Sequence, residues 1–187
     1  GTLNIKYLIG SAESVGIQSS DPALGWGVGA WGDSTWGTAR TTATSDVSLE
    51  ATQWSLQIWG DDLLANNRLG QIYYWDLSDG ETSRAHLVST ESGASGVPTK
   101  VRTIKVSFPD RHLIAGGCTP LGSTTIDPML VRFSDQEDFT SFTPTSTNSS
   151  GDQRLEVGTK IISMLPTKDE MFIQTDEAAY GMTFVGP

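Results

Sequence analysis

One unit occurs three times in this chain and limits what it can fold into: an apolar run, a short turn, then a second apolar run. The fullest copy is Trp54 to Asp76, WSLQIWGDDLLANNRLGQIYYWD. In it Leu63-Leu64-Ala65 leads into the turn Asn66-Asn67-Arg68-Leu69-Gly70, and Ile72-Tyr73-Tyr74-Trp75 stops at Asp76. The second copy has Leu113-Ile114-Ala115, a Gly116-Gly117 turn with an insertion, and Met129 to Phe133 stopping at Ser134-Asp135. The third has Met171-Phe172-Ile173, a turn through Asp176-Glu177, and Ala179-Tyr180-Gly181-Met182. Each copy carries an earlier run as well: Trp54 to Trp59, Val101 to Phe108, and Lys160 to Leu165. Repeats of roughly 40 to 50 residues with several short strands each are the signature of β-propeller blades. The competing reading is a β-sandwich built from unrelated hairpins.

The expected fold is therefore all-β: antiparallel β-sheet repeats forming the blades of a β-propeller, partial or whole. Residues 1–48 are read as an N-terminal strand with a Gly/Trp-rich segment, and 49–187 as three blade-like repeats, about 49–98, 99–156 and 157–187. Leu3 to Ile9 reads as a strand by its β-formers, Gly10 to Asp21 as a Ser/Gly loop, and Thr38 to Ser48 as a polar bridge. Val101 to Phe108 alternates apolar and polar residues, which predicts a half-buried strand. Thr119 to Pro128 and Thr143 to Gln153 read as loops. The chain opens on Gly1-Thr2-Leu3 without an initiator Met and closes directly behind a strand pattern, so it is expected to be part of a longer protein.

Gly25 to Gly37, GWGVGAWGDSTWG, places Trp26, Trp31 and Trp36 five residues apart, each followed by Gly. That spacing fits neither a helix nor a strand face, whereas glycine-permitted turns can plug each ring into a neighbouring surface. Packing or interface anchors are the preferred reading, ahead of a carbohydrate-stacking platform and of a flexible linker that would expose large apolar rings.

The 187 residues carry a formal net charge of −10 with only 12 Lys and Arg, which argues against a surface that wraps nucleic acid by neutralising phosphates. An acidic wall past which a polyanion slides is compatible with that charge, and so is plain solubility. No apolar run approaches the roughly eighteen residues of a membrane span, and no signal peptide is visible. The single cysteine, Cys118, permits neither an internal disulfide nor a Cys-based zinc cluster, and is read as a buried, inert thiol.

Candidate chemistry is sparse. Asp135, Glu137 and Asp138 crowd the segment FSDQEDFTSF, but neighbouring carboxylates in one turn lack the geometry of an acid and base facing each other across a cleft. The two histidines, His86 and His112, form no His-x-x-x-His pair, and a Cys118/His112 dyad is weaker than core packing as an explanation. Trp75 to Gly80 superficially resembles a calcium loop without matching its spacing, so a turn is expected. Asn148-Ser149-Ser150 matches a glycosylation sequon at chance frequency. No catalytic, metal-binding or cofactor-binding residue is assigned.

Four stretches read together carry a resemblance: GWGVGAWGDSTWG (25–37), WGDDLLANNRLGQIYYWD (59–76), RHLIAGG (111–117) and MLVRFSDQEDFTSFTPT (129–145). With the closing segment from Leu155 onward, they resemble the large propeller-containing virion proteins of tailed bacteriophages, of the tail nozzle, hub or DNA-stabilisation type. The resemblance implies a non-enzymatic structural subunit, made in the host cytoplasm and built into the virion tail, that forms a homo-oligomeric ring. DNA would pass through its channel without sequence-specific binding, and neighbouring tail or adaptor proteins would flank it. The alternatives are a carbohydrate- or receptor-binding propeller module and, more remotely, a glycoside hydrolase fragment using Asp135, Glu137 and Asp138.

Overall fold

The computed structural model describes residues 53–80, 82–108 and 110–186. The predicted strand at Leu3 to Ile9, the segments after it and the three tryptophans Trp26, Trp31 and Trp36 lie outside the described residues. The described residues form one compact unit with no α-helix, only three-residue 3-10 turns at Leu77–Asp79 and Val88–Thr90.

Sheet 1 consists of β1 (Trp54–Trp59), β2 (Asp62–Asn67), β3 (Ile72–Trp75) and β4 (His86–Leu87). Sheet 2 consists of β5 (Val101–Val106), β6 (Leu113–Cys118), β7 (Asp127–Phe133) and β8 (Gly151–Arg154). Sheet 3 has β9 (Ile161–Pro166), β10 (Met171–Thr175) and β11 (Ala179–Met182). In each sheet the strands pair antiparallel in chain order, so each is a simple meander drawn from one of the segments 49–98, 99–156 and 157–187.

The sheets stack through their first strands: β1 and β2 pack on β5, and β5 packs on β9. Sheet 2 is thus the middle layer, and among the described residues the three sheets do not close into a ring. The strand expected to be half-buried is β5. Its six residues are all buried or half-buried, because a neighbouring sheet lies on either side.

Two cores follow from strand alternation. Leu64 and Ile72 of sheet 1 meet Ile104, Leu113, Ala115 and Phe142 from sheet 2 and its loops. The opposite face of sheet 2, with Ile114, Met129 and Val131, meets Ile161, Met164, Met171 and Ile173 of sheet 3. A correction concerns Gly116-Gly117, which is not a turn: β6 runs through both glycines to Cys118 and every residue of it is buried. A Cβ at Gly116 would stand 2.7 Å from the Met164 sulfur, so the missing side chain is what lets sheet 3 approach. Gly117, at φ +60°, sits where the β6–β7 register shifts, a bulge that an L side chain would strain.

The polar connections are stitched to the sheets. The turn after β2 is hydrogen-bonded to the start of β5, with Leu69 N–H donating to the Val101 carbonyl at 2.7 Å and Val101 N–H to Gly70 O at 2.9 Å. The buried Asn66 amide donates into the same turn, at 2.9 Å to Asn67 O and 3.2 Å to Gln71 O. Trp75 to Gly80 is a turn, as expected: the Asp76 side chain accepts the Ser78 N–H at 2.7 Å and caps the short 3-10 turn.

Candidate functional site

The interface candidates Trp26, Trp31 and Trp36 cannot be placed, since they lie outside the described residues. The described part has its own apolar surface. On β1, Trp54, Leu56 and Ile58 alternate on one face at 46 %, 56 % and 73 % exposure. Cross-strand register puts Leu63 of β2 and Tyr73 and Trp75 of β3 on that same face, with the Trp54 and Tyr73 rings 6.1 Å apart. The other face of sheet 1 is the one buried against sheet 2, so sheet 1 is apolar on both sides. Sheet 3 repeats this in weaker form: Leu165 and Phe172 are opposite each other on its outer face and exposed, but Ser163 and Gln174 share that face. A sheet that faces solvent normally alternates to polar residues. A face carrying Trp54, Leu56, Ile58, Tyr73 and Trp75 is built to be covered.

The acidic loop after β7 is an anchor. Phe139 inserts between Trp59, whose ring it meets edge-on at 5.4 Å, and Tyr74 at 4.7 Å. Arg111 lies 5.0 Å over the Trp59 ring and pairs with Glu137 at 3.1 Å. Asp135 accepts from Ser149 N–H and hydroxyl at 2.8 and 2.7 Å and from Gln136 N–H at 2.9 Å. Burial pushes the Asp135 carboxyl up, but the Ser149 and Gln136 donors outweigh it and hold the group below the usual carboxylate range. Asp138 accepts from the N–H and hydroxyl of Thr140 at 2.8 and 2.6 Å. All three carboxylates close loop structure, and the loop's aromatic residue clamps sheet 2 to sheet 1.

Other sequence candidates also resolve into structural roles. Cys118 is fully buried, its Sγ 3.5 Å from Ala115 O and 3.7 Å from Leu130 O, and burial pushes its thiol up to about 12. His112 stands just before the other end of β6, with Nδ1 2.8 Å from the Ser134 carbonyl. Asn148 is engaged on both sides of its amide, donating to Thr143 O at 2.9 Å and accepting from Thr145 N–H at 2.8 Å. Tyr74 gives its hydroxyl proton to Asp62 at 2.8 Å, and burial together with that bond holds the phenol well above its ordinary value.

The residue that sequence reasoning missed is Arg132. It is 2 % exposed, and its guanidinium donates to three carbonyls: Gly96 O at 2.7 Å, Phe142 O at 2.9 Å and Thr119 O at 3.2 Å. Burial pulls its pKa down from the ordinary arginine value. One buried cation thus ties three loops to the sheet 1 side of sheet 2.

Among the described residues no group of three or more His, Cys, Asp or Glu side chains is placed to hold a metal ion, and no helix is long and apolar enough to cross a membrane. No family model, no curated protein and no solved structure matches the chain.

Proposed function

We propose that this chain is a non-enzymatic structural subunit of a bacteriophage tail, in which the three sheets are successive blades of a β-propeller in a ring through which DNA passes. The observation that carries the reading is the stacking of the first strands. In a propeller the first strand of each blade lies nearest the axis and the later strands step outward, and β1, β5 and β9 neighbour one another in that order. The apolar outer faces of sheets 1 and 3 supply what further blades or a neighbouring subunit would cover. Phe139, clamped between Trp59 and Tyr74, is the kind of aromatic plug that stiffens a wall. The net charge of −10 suits a lumen that must not retain a polyanion.

The test is peptide mass spectrometry on purified virus particles from the source. The reading expects peptides covering this chain at the copy number of a tail ring. Absence of those peptides from intact particles overturns it.

A second reading, a carbohydrate- or receptor-binding module, draws on the exposed Trp54 and the half-buried Tyr73 and Trp75 on the same face, whose rings could stack on sugar faces. A glycan array distinguishes the two: a wall subunit gives no specific signal, and a binding module gives one that Trp54→Ala abolishes.

A further inference from the structure

Each sheet ends outward in an edge strand, β4, β8 or β11, and the three edges differ. An open edge offers unpaired N–H and C=O groups to any extended chain, and proteins blunt it by shortness or by charge. β4 is two residues long, and β8 carries Asp152 and Arg154. β11, Ala179–Met182, has four residues and no charged side chain. Sheets 1 and 2 have four strands and sheet 3 has three, so β11 lacks the neighbour that covers β3 and β7. A propeller blade has four strands. That last comparison rests on the blades proposed above, whereas the open edge does not.

The groups on the edge follow from the register. Thr175 N–H donates to Ala178 O at 2.8 Å, and further along Ile173 faces Tyr180 and Met171 faces Met182. Antiparallel pairs alternate between bonded and non-bonded, so Tyr180 and Met182 direct their backbone groups to β10. Those of Ala179 and Gly181 point away from the sheet. Both residues are exposed, and none of the described strands pairs with that edge.

A groove of about 600 Å³ lies between β11 and the end of β8. Val131, Phe133 and Leu155 line it from sheet 2, and Ile173, Tyr180 and Met182 from sheet 3. A strand added to β11 would set alternate side chains into this groove. On the other face a Cβ at Gly181 would stand 2.6 Å from Glu170 Oε2, so that carboxylate lies over the glycine. The side chain directly opposite Gly181 would emerge beside it.

We propose that the β11 edge binds an extended segment of another protein chain, added antiparallel as a fourth strand, in which two apolar residues flank a basic one. The apolar pair would enter the groove opposite Tyr180 and Met182, and the basic residue would face Glu170. Ala179 and Gly181 would supply the backbone bonds, which is recognition by strand addition.

The test uses the full chain, ¹⁵N-labelled, and three synthetic peptides. The first, acetyl-STVKVTS-amide, has the pattern. The second, acetyl-SVTKTVS-amide, has the same composition with its valines moved to the lysine face. The third is the first peptide N-methylated at its lysine, which removes the N–H that would meet Gly181. The expected result is a saturable shift of the Ala179 and Gly181 amides with the first peptide. Their hydrogen exchange should slow about tenfold when that peptide is at about ten times its Kd. Glu170→Gln, which keeps the bonds between the Glu170 backbone and Thr167, should weaken it about threefold. The proposal is overturned if the first peptide moves neither amide, if either control binds as tightly, or if Glu170→Gln leaves the affinity unchanged. Protection of both amides before any peptide is added also overturns it. The chain itself then fills the edge, or a second copy does where protection fades on dilution. None of these outcomes depends on whether the chain is found in virus particles.

Discussion

The two junctions between sheets are made in different ways. Sheets 1 and 2 join through fixed shapes and directional bonds. Branched aliphatics such as Leu64, Ile72 and Ile104 fill the core. Ser55 meets Thr103 hydroxyl to hydroxyl at 3.1 Å, the Gln57 amide oxygen accepts Val106 N–H at 3.3 Å, and the β2 turn is tied to Val101. Sheets 2 and 3 join through Met129, Met164 and Met171 set among Ile114, Val131, Ile161 and Ile173, with Gly116 making room for Met164. Methionine is unbranched and adapts to irregular gaps. The first junction adds directional bonds between the sheets, whereas the second sets methionines among its branched aliphatics.

The sharpest way to break the contrast is at Arg132. Arg132→Met keeps an unbranched apolar stem but leaves the carbonyls of Gly96, Thr119 and Phe142 without their donor. We expect a loss of about 3–5 kcal/mol, since each buried carbonyl left without a donor costs roughly 1–3 kcal/mol, measured by urea denaturation. A loss under about 1 kcal/mol would show that the loops on the sheet 1 side do not depend on it.

The second junction should tolerate more. Gly116→Val thrusts a branched side chain at the Met164 sulfur, and overpacking of this kind costs about 1–3 kcal/mol. Adding Met164→Ala to it should recover part of the loss by vacating the space. Failure of the pair to couple in a double-mutant cycle would mean that the glycine is needed for its backbone rather than for the approach of sheet 3.

Asp176 should give the smallest effect, and it lies wholly within sheet 3. Its carboxylate accepts from the Thr159 hydroxyl and from the N–H groups of Thr159 at 2.7 Å and Lys160 at 3.3 Å. The Thr159 bonds, foremost that of its hydroxyl, hold it down at about 2. Because the folded value lies below the unfolded one of about 3.9, its contribution is full above about pH 4 and is lost as pH falls towards 2. Asp176→Asn should therefore lower Tm slightly at pH 6, with the difference vanishing near pH 2. An equal difference at both pH values would show that charge is not the cause.

Strands with apolar signatures were legible in the sequence: β1, β3, β5, β7, β9, β10 and β11 all fall on the runs that define the repeat. β4 and β8 were not. His86–Leu87 is two residues long, and Gly151–Arg154 is GDQR, a polar edge strand that the β7 ladder alone specifies. Gly116-Gly117 was misread because glycine marks a turn and a close approach equally well. Arg132 was invisible because its three acceptors are scattered from residue 96 to residue 142. The acidic loop was legible as neighbouring carboxylates in one turn, but not as a clamp, since nothing local in FSDQEDF reveals that Phe139 reaches Trp59.

The most direct test of the central claim is a cryo-EM reconstruction of purified virus particles from the source, with this chain located in the map. The account expects sheets 1, 2 and 3 to be successive blades with β1, β5 and β9 innermost, and the face of Trp54, Leu56 and Ile58 covered by another blade or subunit. A map in which that face is open to solvent, or in which the sheets do not radiate from a common axis, would contradict it.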